Sequence, residues 1–246
     1  MTDVLRVNVW SGPRNVSTAL MYAFAQRTDT RVVDEPLYAH YLRVSGADHP
    51  GRDDVLASQD SDGEAVVRDV ILGRTTRPVL FLKQMAHHLV ELDRAFLKQT
   101  VNVLLTRDPR GMLPSLERTL GAVTLRDTGL PAQVELLETL VGIGQSPVVL
   151  DSRELLTDPA GVLRQLCTSI GLAFDPTMLR WKPSARPEDG VWAPHWYANV
   201  HRSSGFRPYR AATAPLTPLT RRLLPECQVL FARLAERALQ ANVEPR

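Results

Sequence analysis

The chain has 246 residues, 44% of them hydrophobic and 23% charged, with a formal net charge of +2. That length suits one sizeable domain, read here as the whole span 1–246, and the composition excludes a disordered or collagen-like chain. The near-neutral charge excludes the basic stripe of a nucleic-acid binder, and no apolar run reaches membrane-spanning length, so neither nucleic acid nor a membrane is an expected partner.

The opening Thr2-Asp3 lacks a basic region followed by a long apolar stretch, so no signal peptide is expected. Residues 4–10 form a largely apolar run of strand character, followed by Ser11-Gly12-Pro13-Arg14-Asn15-Val16-Ser17-Thr18 and a helical pattern over 18–26. Further strand-like runs fall at 31–33, 79–82, 101–106 and 148–150, with helical periodicity at 109–120 and 130–143. Most of the runs do not alternate, as expected of strands covered on both faces. The order predicts an α/β fold with a central parallel sheet of about five strands flanked by helices. Helices at 159–170 and 218–239 follow, the second with a stripe of Leu223, Cys227, Leu230, Leu234 and Ala238 that predicts a face docked on the sheet. Cys167 and Cys227 read as buried small hydrophobes in a reducing, cytoplasmic setting. Between these helices the Pro-, Trp-, Ser- and Arg-rich stretch 182–215 is too long for a plain connector and marks a functional or mobile loop.

The loop after strand one reads as an anion cradle. Gly12 permits a tight turn, Arg14 adds a positive charge, Asn15 and Val16 belong to the loop backbone, and Ser17 and Thr18 open a helix whose amides attract an anion. A plain strand-to-helix turn with an N-cap serine fits the same residues. The loop is a poor Walker A sequence: Ser17-Thr18-Ala19 stands where Gly-Lys-Ser/Thr belongs, and the lysine for β and γ phosphates is missing. A second anion site is expected where Arg107 ends strand four, at the sheet edge where open α/β sheets bind ligands, with Ser115 on the next helix. Alternatively Arg107 and Arg110 are solvated or pair with Asp108.

Together these segments resemble the cytosolic-type sulfotransferases, which use 3′-phosphoadenylyl sulfate as donor. Their Pro-Lys-Ser-Gly-Thr-Thr loop is similar to Pro13-Arg14-Asn15-Val16-Ser17-Thr18, with Arg14 in place of the lysine, and their 3′-phosphate-binding Arg and Ser, eight positions apart, match Arg107 and Ser115. The resemblance implies a three-layer P-loop-like fold, donor binding, and sulfuryl transfer to a hydroxyl or amine of a small-molecule acceptor; no metal is expected, since the histidines and cysteines show neither Cys-x-x-Cys nor His-Glu-x-x-His spacing. It further implies a late 3′-phosphate loop at Arg202, Ser203, Ser204 and Gly205. More narrowly, Ser11 to Asn15, Asp34-Glu35-Pro36-Leu37-Tyr38 and the tract from Gly190 to Tyr197 resemble a poorly characterised branch whose members sometimes occur beside aminotransferase domains. Lys83 keeps its family position, suited to stabilising the bridging oxygen of the donor, but Met85 stands where many relatives place a catalytic histidine.

The base is then Glu35 or His87, with Glu35 slightly favoured. Asp34-Glu35-Pro36 equally fits a helix start and the His87-His88 pair a helix cap. Tyr38, His40, Tyr41, Trp192, Trp196 and Tyr197 are candidates to line an aromatic acceptor pocket. Two other readings stay open: a P-loop kinase using Asp108 or Asp151 as its Walker B carboxylate, and a non-catalytic descendant that keeps a nucleotide pocket.

Overall fold

A computed structural model describes residues 4–242; Thr2 and Asp3 lie outside the described residues. Strand β1 (Leu5–Ser11) leads through the cradle loop into helix α1 (Ser17–Phe24) and then strand β2 (Thr30–Asp34). Three short helices follow: α2 (Tyr38–Ser45), α3 (Arg52–Ser58) and α4 (Gly63–Val66), the last continued by a π-helical turn over Val67–Ile71. Strand β3 (Val79–Met85) and strand β4 (Val101–Thr106) precede helices α5 (Pro109–Leu120) and α6 (Leu130–Gly142). Strand β5 (Val148–Asp151), α7 (Ser152–Thr157) and α8 (Pro159–Ser169) come next, then the single-turn helices α9 (Ala193–Trp196) and α10 (Ala198–His201) and the long α11 (Pro218–Ala235).

The five strands pair in parallel in the order β2-β3-β1-β4-β5. Both faces are covered, which explains the unbroken apolar runs: all seven residues of β3 are buried. Leu80, Leu82 and Leu104 enter one core with residues of α5, α6 and α11, while Phe81, Val103 and Leu105 enter the other with α1 and α8. The apolar stripe of α11 docks as expected, with Cys227 and Leu234 fully buried and Leu223 and Leu230 partly so. This helix stops at Ala235, before the expected 239, because Leu239 N–H donates to Val149 O and the chain joins β5.

Elsewhere the differences from expectation are local. Strands β1, β2, β3 and β5 each run past the expected C-terminal end, by one to three residues, and the added residues include Asp34 and Lys83 of the site described below. Beyond the Asp34-Glu35-Pro36 start considered above, no helix was expected over α2 to α4: α2 has Leu37 at its N-cap with no side-chain cap, each is short, and the Asp62 cap of α4, which accepts from Glu64 N–H at 3.0 Å, went unread. The 182–215 stretch is not wholly irregular, since it contains α9 and α10 and is tied off by an Arg180 to Gly205 bridge.

β1 lies between β3 and β4, so the chain leaves the sheet in opposite directions on either side of it. The crevice outside such a switch point is where open α/β sheets take ligands. A cavity of about 440 Å³ occupies that place.

Candidate active site

The cradle loop forms one wall. Gly12 is required by close approach and not by its own φ: a Cβ there would meet the carbonyl oxygen of Thr128 at 2.9 Å. Asn15 folds the loop onto the sheet, accepting from Ser17 N–H at 3.0 Å and donating to Leu105 O at 3.0 Å. It therefore acts as a brace within the loop. Val16 packs into the core beside α1 while its backbone borders the cavity. The hydroxyls of Ser17 and Thr18 border the cavity and have no hydrogen-bond partner among the described residues. No N-cap serine stands here; Val16 occupies that position, and with Ser17 N–H taken by Asn15 it is the Thr18 and Ala19 amides that are left open to a ligand.

Arg14 adopts a left-handed backbone, φ 58°, which costs a non-glycine residue energy and is a frequent feature of functional sites. Its Nε donates to Ser115 Oγ at 2.9 Å, and Arg107 Nη1 donates to the carbonyl oxygen of Arg14. Arg14, Arg107 and Ser115 thus meet at one point where β1 and β4 end. Neither guanidinium is ion-paired to a carboxylate among the described residues. Burial lowers both pKa values, and for Arg14 the neighbouring charge of Arg107 lowers it further. The pairing of Arg107 with Asp108 does not occur, because Asp108 caps α5 by accepting from Arg110 N–H at 2.8 Å. Asp151 caps α7 in the same way, accepting from Arg153 N–H at 2.9 Å, so both carboxylates suggested for a Walker B role are occupied as helix caps.

The opposite wall carries a buried charge network. Lys83 is 2% exposed, and its ammonium donates to Asp34 Oδ1 at 2.9 Å, to Glu35 Oε1 and to the Tyr197 hydroxyl at 2.6 Å. The Tyr197 hydroxyl donates to Asp34 Oδ2 at 2.7 Å and accepts from Trp192 Nε1 at 3.0 Å. Burial alone lowers the Lys83 pKa, but the two carboxylates outweigh it and the ammonium is held charged. Burial pushes the Glu35 carboxyl above the usual range, with Lys83 opposing. Glu35 also has a left-handed backbone, φ 39°. The Asp34-Glu35-Pro36 stretch is not a helix start, since α2 begins two residues later and both carboxylates turn to Lys83. Lys83 borders the cavity, yet its three N–H groups are committed to these partners, which departs from the expected role at the bridging oxygen.

His87 and His88 do not cap a helix; they form a single 3₁₀ turn after β3. Both border the cavity. Burial holds the His87 pKa at about 3, which makes its ring a feeble proton acceptor beside Glu35. Met85, in the place of the family histidine, packs its sulfur against the Ser11 hydroxyl at 3.3 Å.

The late loop only partly meets expectation. Ser203 and Gly205 border the cavity, but Arg202 and Ser204 do not: both are exposed, and Arg202 donates to Asn199 Oδ1 at 3.1 Å. A single isolated bridge pairs Arg180 with Gly205, and Trp181 N–H donates to Ser204 O at 3.2 Å beside it. Arg207 borders the cavity where Arg202 was expected. Sequence reasoning also missed Asp34 and the coupling of Tyr197 to Lys83, although both lay in tracts it had singled out. Among the aromatics, Tyr38, Tyr41, Trp192, Trp196 and Tyr197 do border the cavity, whereas His40 faces away and bonds Val90 O at 2.8 Å. Among the described residues no set of three or more His, Cys, Asp or Glu side chains is placed to hold a metal ion, and no helix is long and apolar enough to cross a membrane.

A family model described as a sulfotransferase domain matches residues 5–236. Two relatives from Arabidopsis thaliana, named branched-chain-amino-acid aminotransferase-like proteins 1 and 2, are 42% and 39% identical over 201 residues, which is 81% of this chain and 36% of each relative. The chain therefore spans about a third of the length of those relatives. Among solved structures, the sulfotransferase domain from the curacin biosynthetic pathway superimposes with a TM-score of 0.54 at 15% identity, covering 93% of this chain and 99% of that one. The sulfotransferase domain of the Synechococcus PCC 7002 olefin synthase gives 0.51 at 17% identity, covering 92% and 94%. These two likenesses bear on the fold, which agrees with the expected parallel α/β sheet flanked by helices.

Proposed function

The chain belongs to the sulfotransferase domain family, and on that premise we propose that it transfers a sulfuryl group from 3′-phosphoadenylyl sulfate to a hydroxyl or amine of a small-molecule acceptor. The observation that carries this reading is the meeting of Arg14 and Arg107, two half-buried cations with no carboxylate, beside the free hydroxyls of Ser17 and Thr18. Like charges shed water and sit together at a cost unless an anion joins them. A donor with phosphate at both ends of its ribose matches two anion-seeking loops at the ends of β1 and β4. The residues present therefore fit the donor: the β1 loop would hold the 5′-phosphosulfate, and Arg107 with Ser115 the 3′-phosphate, with Ser203, Gly205 and Arg207 closing from the late loop.

In the reaction the acceptor oxygen or nitrogen bonds to sulfur as the sulfur–oxygen bond to the 5′-phosphate breaks, and the electron pair leaves with that phosphate. The acceptor's proton passes to the Glu35 carboxylate, whose raised pKa makes it a better proton acceptor than an ordinary glutamate. Lys83 holds that carboxylate ionised until it is needed, and Arg14 and the α1 amides neutralise charge on the departing phosphate.

Thermal shift with adenosine 3′,5′-bisphosphate against ATP and Mg²⁺ tests the donor site. Stabilisation by the bisphosphate supports the reading, and stabilisation by ATP alone rejects it. Turnover of the sulfate donor over a panel of alcohols and amines then separates an enzyme from a nucleotide-binding descendant. The descendant draws on one observation, the full engagement of the Lys83 ammonium by its neighbours.

A further inference from the structure

Two carboxylates share one buried ammonium where β2 and β3 end, and only one of them has a part in the reaction proposed above. Lys83 is bonded to Asp34, to Glu35 and to the Tyr197 hydroxyl. The side chain of Glu35 is 10% exposed and borders the cavity, whereas that of Asp34 is 1% exposed and stands away from it. Asp34 therefore cannot touch an acceptor. It is nonetheless held from two sides. Its Oδ1 accepts from Lys83 on β3 at 2.9 Å, and its Oδ2 accepts from the Tyr197 hydroxyl at 2.7 Å and from Gly190 N–H at 3.3 Å, both in the late loop.

A general base changes its charge in every turnover, and its buried neighbours must tolerate both states. When the Glu35 carboxylate takes the acceptor's proton it becomes a neutral acid, and no other bond in the network changes. Were Glu35 the only counter-ion, Lys83 would then be a lone buried cation, and that cost would oppose the proton transfer. With Asp34 present the ammonium keeps an anionic partner whichever form Glu35 takes. The charge of Asp34 has a second effect. Burial raises the proton affinity of Glu35, Lys83 opposes, and the like charge of Asp34 adds to the rise. The other groups that face this pair are Tyr38 from α2, Tyr197 from the late loop and His88 from the turn after β3; burial keeps both phenols and the imidazole neutral.

We propose that Asp34 is a positioning residue for the reaction: a standing counter-ion that keeps Lys83 in place while Glu35 gains and loses the acceptor's proton. The proposal rests on the sulfotransferase reading, with Glu35 as its base.

Bisphosphate affinity and turnover of the wild type are measured first; no binding, or no turnover over the panel of alcohols and amines, overturns the sulfotransferase reading itself. One arm of the test needs no turnover. Urea midpoints of Glu35→Gln and Lys83→Met are compared with that of the wild type. Glu35→Gln imitates the protonated base, and with Asp34 still on the ammonium its midpoint stays close to the wild-type value, whereas Lys83→Met strands both carboxylates and lowers it far more. Equal losses in the two variants overturn the proposal. The other arm uses Asp34→Asn, close in shape and uncharged, with retained bisphosphate affinity as the check that it is folded. Its pH–rate profile is recorded with 3′-phosphoadenylyl sulfate and the fastest acceptor of the panel. Removing the negative charge lowers the proton affinity of Glu35, so the rising limb of kcat/KM moves to lower pH. The base is then weaker, and kcat on the plateau falls about tenfold while KM for the donor holds. A merely structural role lowers kcat without moving the limb, so a limb that stays at its wild-type pH in folded Asp34→Asn overturns the proposal. If Asp34→Asn does not fold, the comparison of urea midpoints decides alone.

Discussion

Arg14 Nε donates to Ser115 Oγ at 2.9 Å, so the loop after β1 and the first turns of α5 are fastened together by two groups that both border the cavity. With Arg107 bonded to the Arg14 carbonyl, the two anion-seeking segments are one unit before any ligand arrives. A site organised in this way spends little on ordering when it binds.

Replacing Arg107 by Met removes a charge that has no carboxylate partner. The expected outcome is a bisphosphate affinity lower by at least tenfold, consistent with loss of a charge-assisted contact of about 1.5–3 kcal/mol, together with a melting temperature of the free protein that is unchanged or higher. Calorimetry and a thermal scan check both. A fall in melting temperature with unaltered affinity would show that Arg107 serves the fold.

Gly111→Ala provides a gentler probe of the same arginine. An added Cβ lies 3.3 Å from Arg107 Nε and Nη2, close enough to displace the guanidinium. Alanine is favoured over glycine in a helix by about 1 kcal/mol, so the variant should be no less stable in urea and yet bind the bisphosphate several-fold more weakly.

Within the Lys83 network the order of effects is distinctive. Lys83→Met leaves Asp34 and Glu35 buried without a cation and should cost about 3–5 kcal/mol. Tyr197→Phe leaves Trp192 Nε1 and one Lys83 N–H without a partner, and Asp34 Oδ2 with Gly190 N–H alone, and should cost about 1–3 kcal/mol. Glu35→Gln should keep bisphosphate binding and lose turnover. In the wild type, kcat/KM should rise with pH through a pKa above the ordinary glutamate range, because the base works when deprotonated. Urea titrations and a pH–rate profile test the set.

Acid should destabilise the fold early. His87 has a pKa of about 3 in the folded protein against 6.5 for the ordinary group. The unfolded chain therefore takes up a proton first, and the stability present above pH 6.5 falls continuously as pH drops towards 3. At about pH 5 this one ring accounts for about 2 kcal/mol. His87→Asn should flatten the urea midpoint between about pH 7 and pH 5, and an undiminished pH dependence in that variant removes His87 as the cause.

Much of this molecule was legible in its sequence because the signals were local. Largely apolar runs at β1, β3 and β4 marked strands covered on both faces, and the Arg107 to Ser115 spacing marked a strand end followed by a helix turn. Asp108 and Asp151 entered only as Walker B candidates of the alternative kinase reading, because an N-cap aspartate and a metal-binding one look alike until their amide partners are seen. Arg202 and Arg207 lie in one basic stretch, and which of them borders the cavity depends on Arg202 capping the end of α10, a single-turn helix no local pattern announced. The link from Tyr197 to Asp34 joins residues 163 positions apart, and nothing in either local pattern encodes it.

The strand order β2-β3-β1-β4-β5 has an evolutionary consequence. In the proposed reading nucleotide recognition is vested in β1 and β4, whereas proton handling and acceptor choice are vested in β2, β3 and the turns at their C-terminal ends. Selection can therefore act on the two inventories separately. A lineage is free to exchange one acceptor for another by drift on the outer pair while its inner pair stays constant, and the same partition lets turnover decay without loss of nucleotide affinity.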